Sequence, residues 1–162
     1  METNVVFNVD YDVKSIFVMK IYNASVSEIW DYFTKAELLD LWWGPKPWNC
    51  KTVKMNFVEG GQWLYAMVGP NGEKVYSLLN YGEITDHRNF DGMDAFCDEN
   101  GKIDENFPQT KWLIGFTGVE GGVKVSFNLH FQSEEAMKKL LELGFEEGFK
   151  IGLHQLEGII NT

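Results

Sequence analysis

Three histidines, two cysteines and an excess of acidic side chains are the groups with which this chain of 162 residues could do chemistry. Acid–base catalysis needs a histidine or carboxylate held beside a partner, and zinc needs close, regular ligand spacing. His87 falls in the turn DHRN. His130 alternates with Lys124, Ser126 and Asn128 on one side of GVKVSFNLHF, opposite Val123, Val125, Phe127, Leu129 and Phe131. His154 adjoins Leu153 and reads as half buried. No Cys, Asp or Glu stands at ligand spacing from these rings, so a structural role is expected for all three. Cys50 and Cys97 are far apart, with no CxxC and no adjacent histidine to lower a thiol pKa. Lys51 follows Cys50, but a strand would point it the other way. Glu134-Glu135, Glu146-Glu147 and Asp104-Glu105 read as solvated faces and loops, and no phosphate-binding or nucleophile motif is present. The expectation is no catalytic residue, no metal and no cofactor.

Two acids stand on otherwise apolar strands: Glu83, late in VYSLLNYGEI, and Asp94, beside Met93. Outward projection is expected of both. Pointing inward, either acid, with Tyr65 or Tyr81, would supply the polar group that orients a ligand in an apolar pocket. The walls of such a pocket are easier to find. Phe, Trp and Tyr make up 15% of the chain, more rings than an ordinary small core requires. Trp63, Tyr65 and Met67 alternate on one strand, Trp112, Ile114 and Phe116 on another, and Phe145 and Phe149 lie one helical turn apart. Facing one another, they outline either a stiff-walled cavity or a solid core. In LWWGPKPWNC (41–50), Trp42 continues the apolar face of Leu38 and Leu41 and is assigned to the core. Trp43 and Trp48 fall off that period and are assigned to a lid or entrance.

The elements that must position these rings follow from punctuation and period. SIFVMKIY (15–22) reads as a strand, and the dozen residues before it as a frayed arm or an edge strand. Ser25 with Glu28, and Thr34 with Glu37, fit two capping boxes and predict two short helices, the second stopped by Gly44-Pro45. About six strands follow with hairpin-like connections, interrupted by the polar loop DENGKIDENFP (98–108). Ser133 caps a helix expected to run unbroken to Ile160, with a second stripe at Gly144, Gly148 and Gly152. That stripe is read as close backbone approach to the sheet, the alternative being room for a ligand.

A net charge of −10 and a single arginine, Arg88, exclude nucleic acid and anionic membrane surfaces as expected partners. The opening METNVVFNVDYDV has neither a basic nor an apolar leader region, and no apolar run is long enough to span a bilayer. A cytoplasmic location with both thiols reduced is the expectation, for a single domain over 1–162 with its core at 15–160.

One strand, two short helices, antiparallel strands and a long last helix make an α+β chain in the order of the helix-grip fold (START-like, Bet v-type). There a curved antiparallel sheet wraps the C-terminal helix. NASVSEIWDYFTKAELLDLWWGP, FVEGGQWLYAMVGPNGEKVYSLLNYGEI and GFEEGFKIGLHQLEGII resemble signature regions of the START-like SRPBCC superfamily. The nearest branch is the one related to the activator of the heat shock protein 90 ATPase. Val58-Glu59 replaces the basic-proline pair common before the double glycine, and Phe145 and Phe149 stand where tryptophan is common. The resemblance implies three functions. The first is a cytosolic binding domain for an apolar or aromatic small molecule, held between sheet and last helix. The second is a chaperone-linked interaction module, and the third a cyclase- or hydrolase-type enzyme. The failed search for a catalytic group ranks the enzyme below a binding role.

Overall fold

A computed structural model describes residues 4–161; residues 1–3 and 162 of the expected domain lie outside the described part. The chain runs β1 (Val6–Asp10), β2 (Ser15–Tyr22), α1 (Val26–Thr34), α2 (Ala36–Trp42), then β3 (Asn49–Met55) and β4 (Gln62–Val68). It continues through β5 (Lys74–Thr85), β6 (Asn89–Cys97), β7 (Thr110–Val119) and β8 (Gly122–His130) to α3 (Glu134–Glu142) and α4 (Phe145–Ile160). The strands form one antiparallel, curved sheet in the order β1-β2-β8-β7-β6-β5-β4-β3, with β2 inserted beside β8. This is the expected α+β helix-grip architecture.

Period-two alternation decides which side chains meet the helices. Ile16, Val18, Lys20 and Tyr22 pair in register with Leu129, Phe127, Val125 and Val123, and all eight are buried on the concave face. Trp112, Ile114 and Phe116 continue the same rows on β7. The opposite face carries a small satellite cluster of Leu64, Leu78 and Ala95, with Cys97 and Ile103 packed against it.

Some local expectations hold and others change. The weakly patterned start contains a real edge strand, since Val6–Asp10 pairs with Ser15–Met19. The first helix is capped by Ser25, which accepts from the Glu28 N–H at 3.0 Å. The second capping box does not form: the Thr34 hydroxyl donates back to the Trp30 carbonyl at 2.9 Å, and Lys35 occupies the N-cap of α2 without a side-chain bond. The last helix is two helices. Leu143 closes α3 and Gly144 turns left-handed at φ 86 before α4 starts. The apolar period runs through this break because α3 and α4 both turn their apolar faces to the same core. The glycine stripe therefore divides. Gly144 is the turn, a Cβ on Gly148 would lie 3.6 Å from Pro45, and one on Gly152 3.4 Å from the Trp42 carbonyl oxygen. The close backbone approach is to the end of α2 rather than to the sheet.

Long-range polar contacts fasten α4. Lys20, 0% exposed, bonds Glu157 at 3.0 Å, and the Tyr22 hydroxyl donates to the Leu153 carbonyl at 3.0 Å. Gln155 donates to the carbonyls of Trp42 (2.9 Å) and Gly44 (2.8 Å) and accepts from the Lys46 N–H (2.9 Å). That one amide holds the tryptophan–proline loop against α4.

Candidate functional site

The N-terminal half of α4 leaves space over the sheet that its C-terminal half fills. A cavity of about 240 Å³ lies there, floored by Tyr65 and Met67 of β4, Ser77 of β5, Asp94 and Phe96 of β6, and Trp112 of β7. Phe145 and Phe149 of α4 roof it, and Trp43 closes its inner end. It stays open because Gly144 and Gly148 bring backbone, not side chains, over the floor. The mouth is apolar: Leu143 and Val75 flank it at 57% and 42% exposed.

The rings are in edge contact rather than loosely arrayed. Trp43 lies 6.1 Å from Trp112 and 6.0 Å from Phe149, and Trp112 lies 5.6 Å from Phe149, centroid to centroid. Phe145 and Phe149 stack at 5.1 Å. Trp43 also separates this cavity from a hollow of about 20 Å³ lined by Trp63, Tyr65, Tyr81 and Asp94 among others. A further hollow of about 40 Å³ runs from Asp94 and Ser77 toward Lys139 on α3.

Asp94 lines all three spaces. The outward projection expected of it is wrong. Register places it in one cross-strand row with Leu79 and Thr110, on the face that carries Phe90 and Phe96. Its Oδ2 accepts from the Trp112 indole N–H at 2.7 Å and its Oδ1 from the Thr110 N–H at 3.1 Å. Burial outweighs both bonds and pushes its carboxyl up to about 7. Burial also raises the Tyr65 phenol, with the Trp43 and Ser77 side chains opposing the shift. Tyr81 is raised by burial and by Tyr65. The cavity wall thus holds a neutral phenol and a carboxyl that changes charge near neutrality.

The remaining candidates scatter. Trp63 and Tyr81 reach only the inner hollow. Phe116 is buried against Trp30 and Phe33, at 5.1 and 5.3 Å. Trp48 is not on the cavity wall; its ring sits over Gly69 at the β4–β5 turn. Glu83 is exposed because the register shifts between Tyr81 and Ile84, which reverses the alternation and turns Ile84 to the inner face with Phe90. Ser77, Val75, Leu140 and Leu143 line the cavity without having been singled out; Ser77 shares strand parity with Leu79 and Tyr81, the signal that marks it.

Cys50 is set against nucleophilic use. Its thiol lies 3.6 Å from Asp40, and burial followed by that carboxylate pushes its pKa far up. Asp40 also accepts from the Thr52 N–H and hydroxyl, and Thr52 accepts from the Trp63 indole, tying α2 to β3 and β4. Among the described residues no cluster of three or more His, Cys, Asp or Glu side chains is placed to hold a metal. No helix there is long and apolar enough to cross a membrane.

Solved structures share this architecture. A protein of Mycobacterium smegmatis superposes with a TM-score of 0.89 at 25% identity, over 96% of each chain. One of Arthrobacter aurescens gives 0.92 at 26% identity, over 98% of this chain and 92% of that one. The AHSA1 protein of Silicibacter pomeroyi gives 0.72 at 13% identity, over 91% and 97%, a likeness of fold alone. No curated protein matches the chain. The family model for Activator of Hsp90 ATPase homolog 1-like protein matches residues 23–161, and the chain belongs to that family.

Proposed function

We propose that this protein is a binding domain that takes up one small apolar or aromatic molecule between its sheet and α4. The observation that carries the reading is the cavity of about 240 Å³ with ring walls, one carboxyl and an apolar mouth. Small-molecule pockets are typically about 300–1,000 Å³ with a few placed polar groups, so this one suits a compact ligand.

Thermal unfolding and native mass spectrometry against single-ring aromatics and short amphiphiles test the reading. A saturating ligand at a hundred times its Kd should add about 2.7 kcal/mol of stability. Gly148→Leu, whose side chain would extend between Pro45 and the cavity, should abolish that gain while the variant stays folded. No stabilisation by any such compound at millimolar concentration would overturn the proposal. Stimulation of a chaperone ATPase that is unaffected by Gly148→Leu would instead favour the chaperone-linked role that the family description carries.

A further inference from the structure

Among the described residues, Asp94 is the one charged side chain on the wall of the large cavity, and no lysine, arginine or histidine lines it. Two of the roughly four lone-pair positions of its carboxylate are taken, by Trp112 and Thr110. Those bonds hold the group in place with acceptor capacity to spare. Trp43, Tyr65, Trp112 and Phe149 surround the same space. Aromatic faces are the negative poles of their quadrupoles and attract cations within about 6 Å. A carboxylate among electron-rich rings, in a chain of net charge −10, gives that space a negative potential.

Resting on the cavity reading above, the geometry points to a cationic ligand: an amine or quaternary ammonium with an apolar or single-ring body. The ammonium sits at Asp94 among the rings, and the body lies toward Met67 and Phe145. An anionic ligand would meet Asp94 with no cationic side chain on the wall to offset it. The titratable groups that face Asp94 across its neighbouring elements are Tyr65 from β4 and, through the adjoining hollows, Tyr81 from β5 and Lys139 from α3. Cys50 of β3 stands behind Tyr65. Lys139 is engaged elsewhere, donating to the Asn106 carbonyl at 3.0 Å and lying 4.6 Å from the Phe107 ring centroid. The raised pKa of Asp94 agrees, being that of a carboxyl desolvated without a nearby cation.

Phenyltrimethylammonium and tert-butylbenzene have nearly the same shape, and the cation's charge does not titrate. Binding of each, with benzoate as the anionic control, is measured by tryptophan fluorescence and calorimetry. At about pH 8 the cation should bind about ten-fold or more tighter than tert-butylbenzene, and benzoate weakest. Asp94→Asn should bring the cation-to-neutral ratio near one while leaving tert-butylbenzene binding in place. In the unaltered protein, lowering the pH to about 5.5 should do the same as Asp94 takes up its proton, so the test survives a variant that fails to fold. Equal or tighter binding of tert-butylbenzene at about pH 8 overturns the inference and leaves the cavity reading standing. So does a preference that is unchanged by both Asp94→Asn and low pH. Binding of none of the three overturns both.

Discussion

Two carboxyl groups sit on the concave side of one sheet, and the molecule treats them in opposite ways. Glu157, on the C-terminal half of α4, meets Lys20 at 3.0 Å among buried side chains: Leu153 and Leu156 are fully buried and Trp42 nearly so. Asp94, under the N-terminal half, has neutral hydrogen-bond donors, no ion-pair partner among the described residues and a cavity in front of it. The first charge is neutralised within the protein. On the proposal made above, the second is left for a cationic ligand to neutralise. One helix thus seals the fold at one end and frames a site at the other.

The sharpest way to break this comparison is to remove one charge at each end. Lys20→Met leaves Glu157 buried without its lysine and should cost about 3–5 kcal/mol in urea unfolding. Adding Glu157→Leu should recover most of that loss, because a buried pair replaced by apolar groups of similar volume is often neutral or stabilising. A cost for Lys20→Met below about 1 kcal/mol would make the two ends alike.

Next in size are the adjacent tryptophans. Trp42→Ala removes a buried ring that donates to the Tyr32 carbonyl and should cost about 3–4 kcal/mol. Trp43→Ala, which joins the inner hollow to the cavity, should cost about half as much yet abolish ligand-induced stabilisation. Equal penalties with unchanged binding would return both rings to the core.

Asp94→Asn should act with the opposite sign. The Asp94 carboxyl titrates near 7 when folded and at about 3.9 when unfolded. Between those values the folded state holds the extra proton, so stability falls as pH rises through that window and the loss is complete above it. The variant should abolish this slope and be more stable at about pH 8 by about 1–3 kcal/mol. Unfolding free energies measured at several pH values decide it, and a destabilised Asn variant at that pH would make Asp94 a structural acid like Glu157. The smallest stability effect belongs to Gly148→Leu. Relief of the roughly 1 kcal/mol glycine penalty should offset crowding at Pro45, so only binding changes.

Much of this contrast is legible in strand parity. Lys20 shares its face with Ile16, Val18 and Tyr22, and Asp94 shares its face with Phe90 and Phe96. Each is a charge on an apolar row, the local mark of a group that needs a partner. Outward projection of Asp94 was expected because a lone acid usually faces water, and nothing local says that its indole and amide donors come from β7. Glu83 does project outward as expected, but not by simple alternation, which places it with Leu79 and Tyr81; the shift after Tyr81 turns it out. Thr34 with Glu37 fits a cap by spacing alone, while Lys35 takes the N-cap and the hydroxyl turns back to Trp30.

Family resemblance supported the helix-grip architecture; the residues by themselves determined the two short helices, the run of strands and the C-terminal helical segment in that order, the Ser25 and Ser133 caps, and the alternating rings on β4 and β7. These depend on short-range rules: capping chemistry, side-chain period and turn residues. Only the tertiary structure decided that Lys20 finds Glu157 across 137 positions, that α4 starts afresh at Gly144, and that the rings stop short of filling their space. Those outcomes depend on register across eight strands and on where a helix comes to rest over them. A one-residue shift reverses a side chain's face, and a backbone-only stretch of helix leaves a cavity where any larger side chain would have closed it.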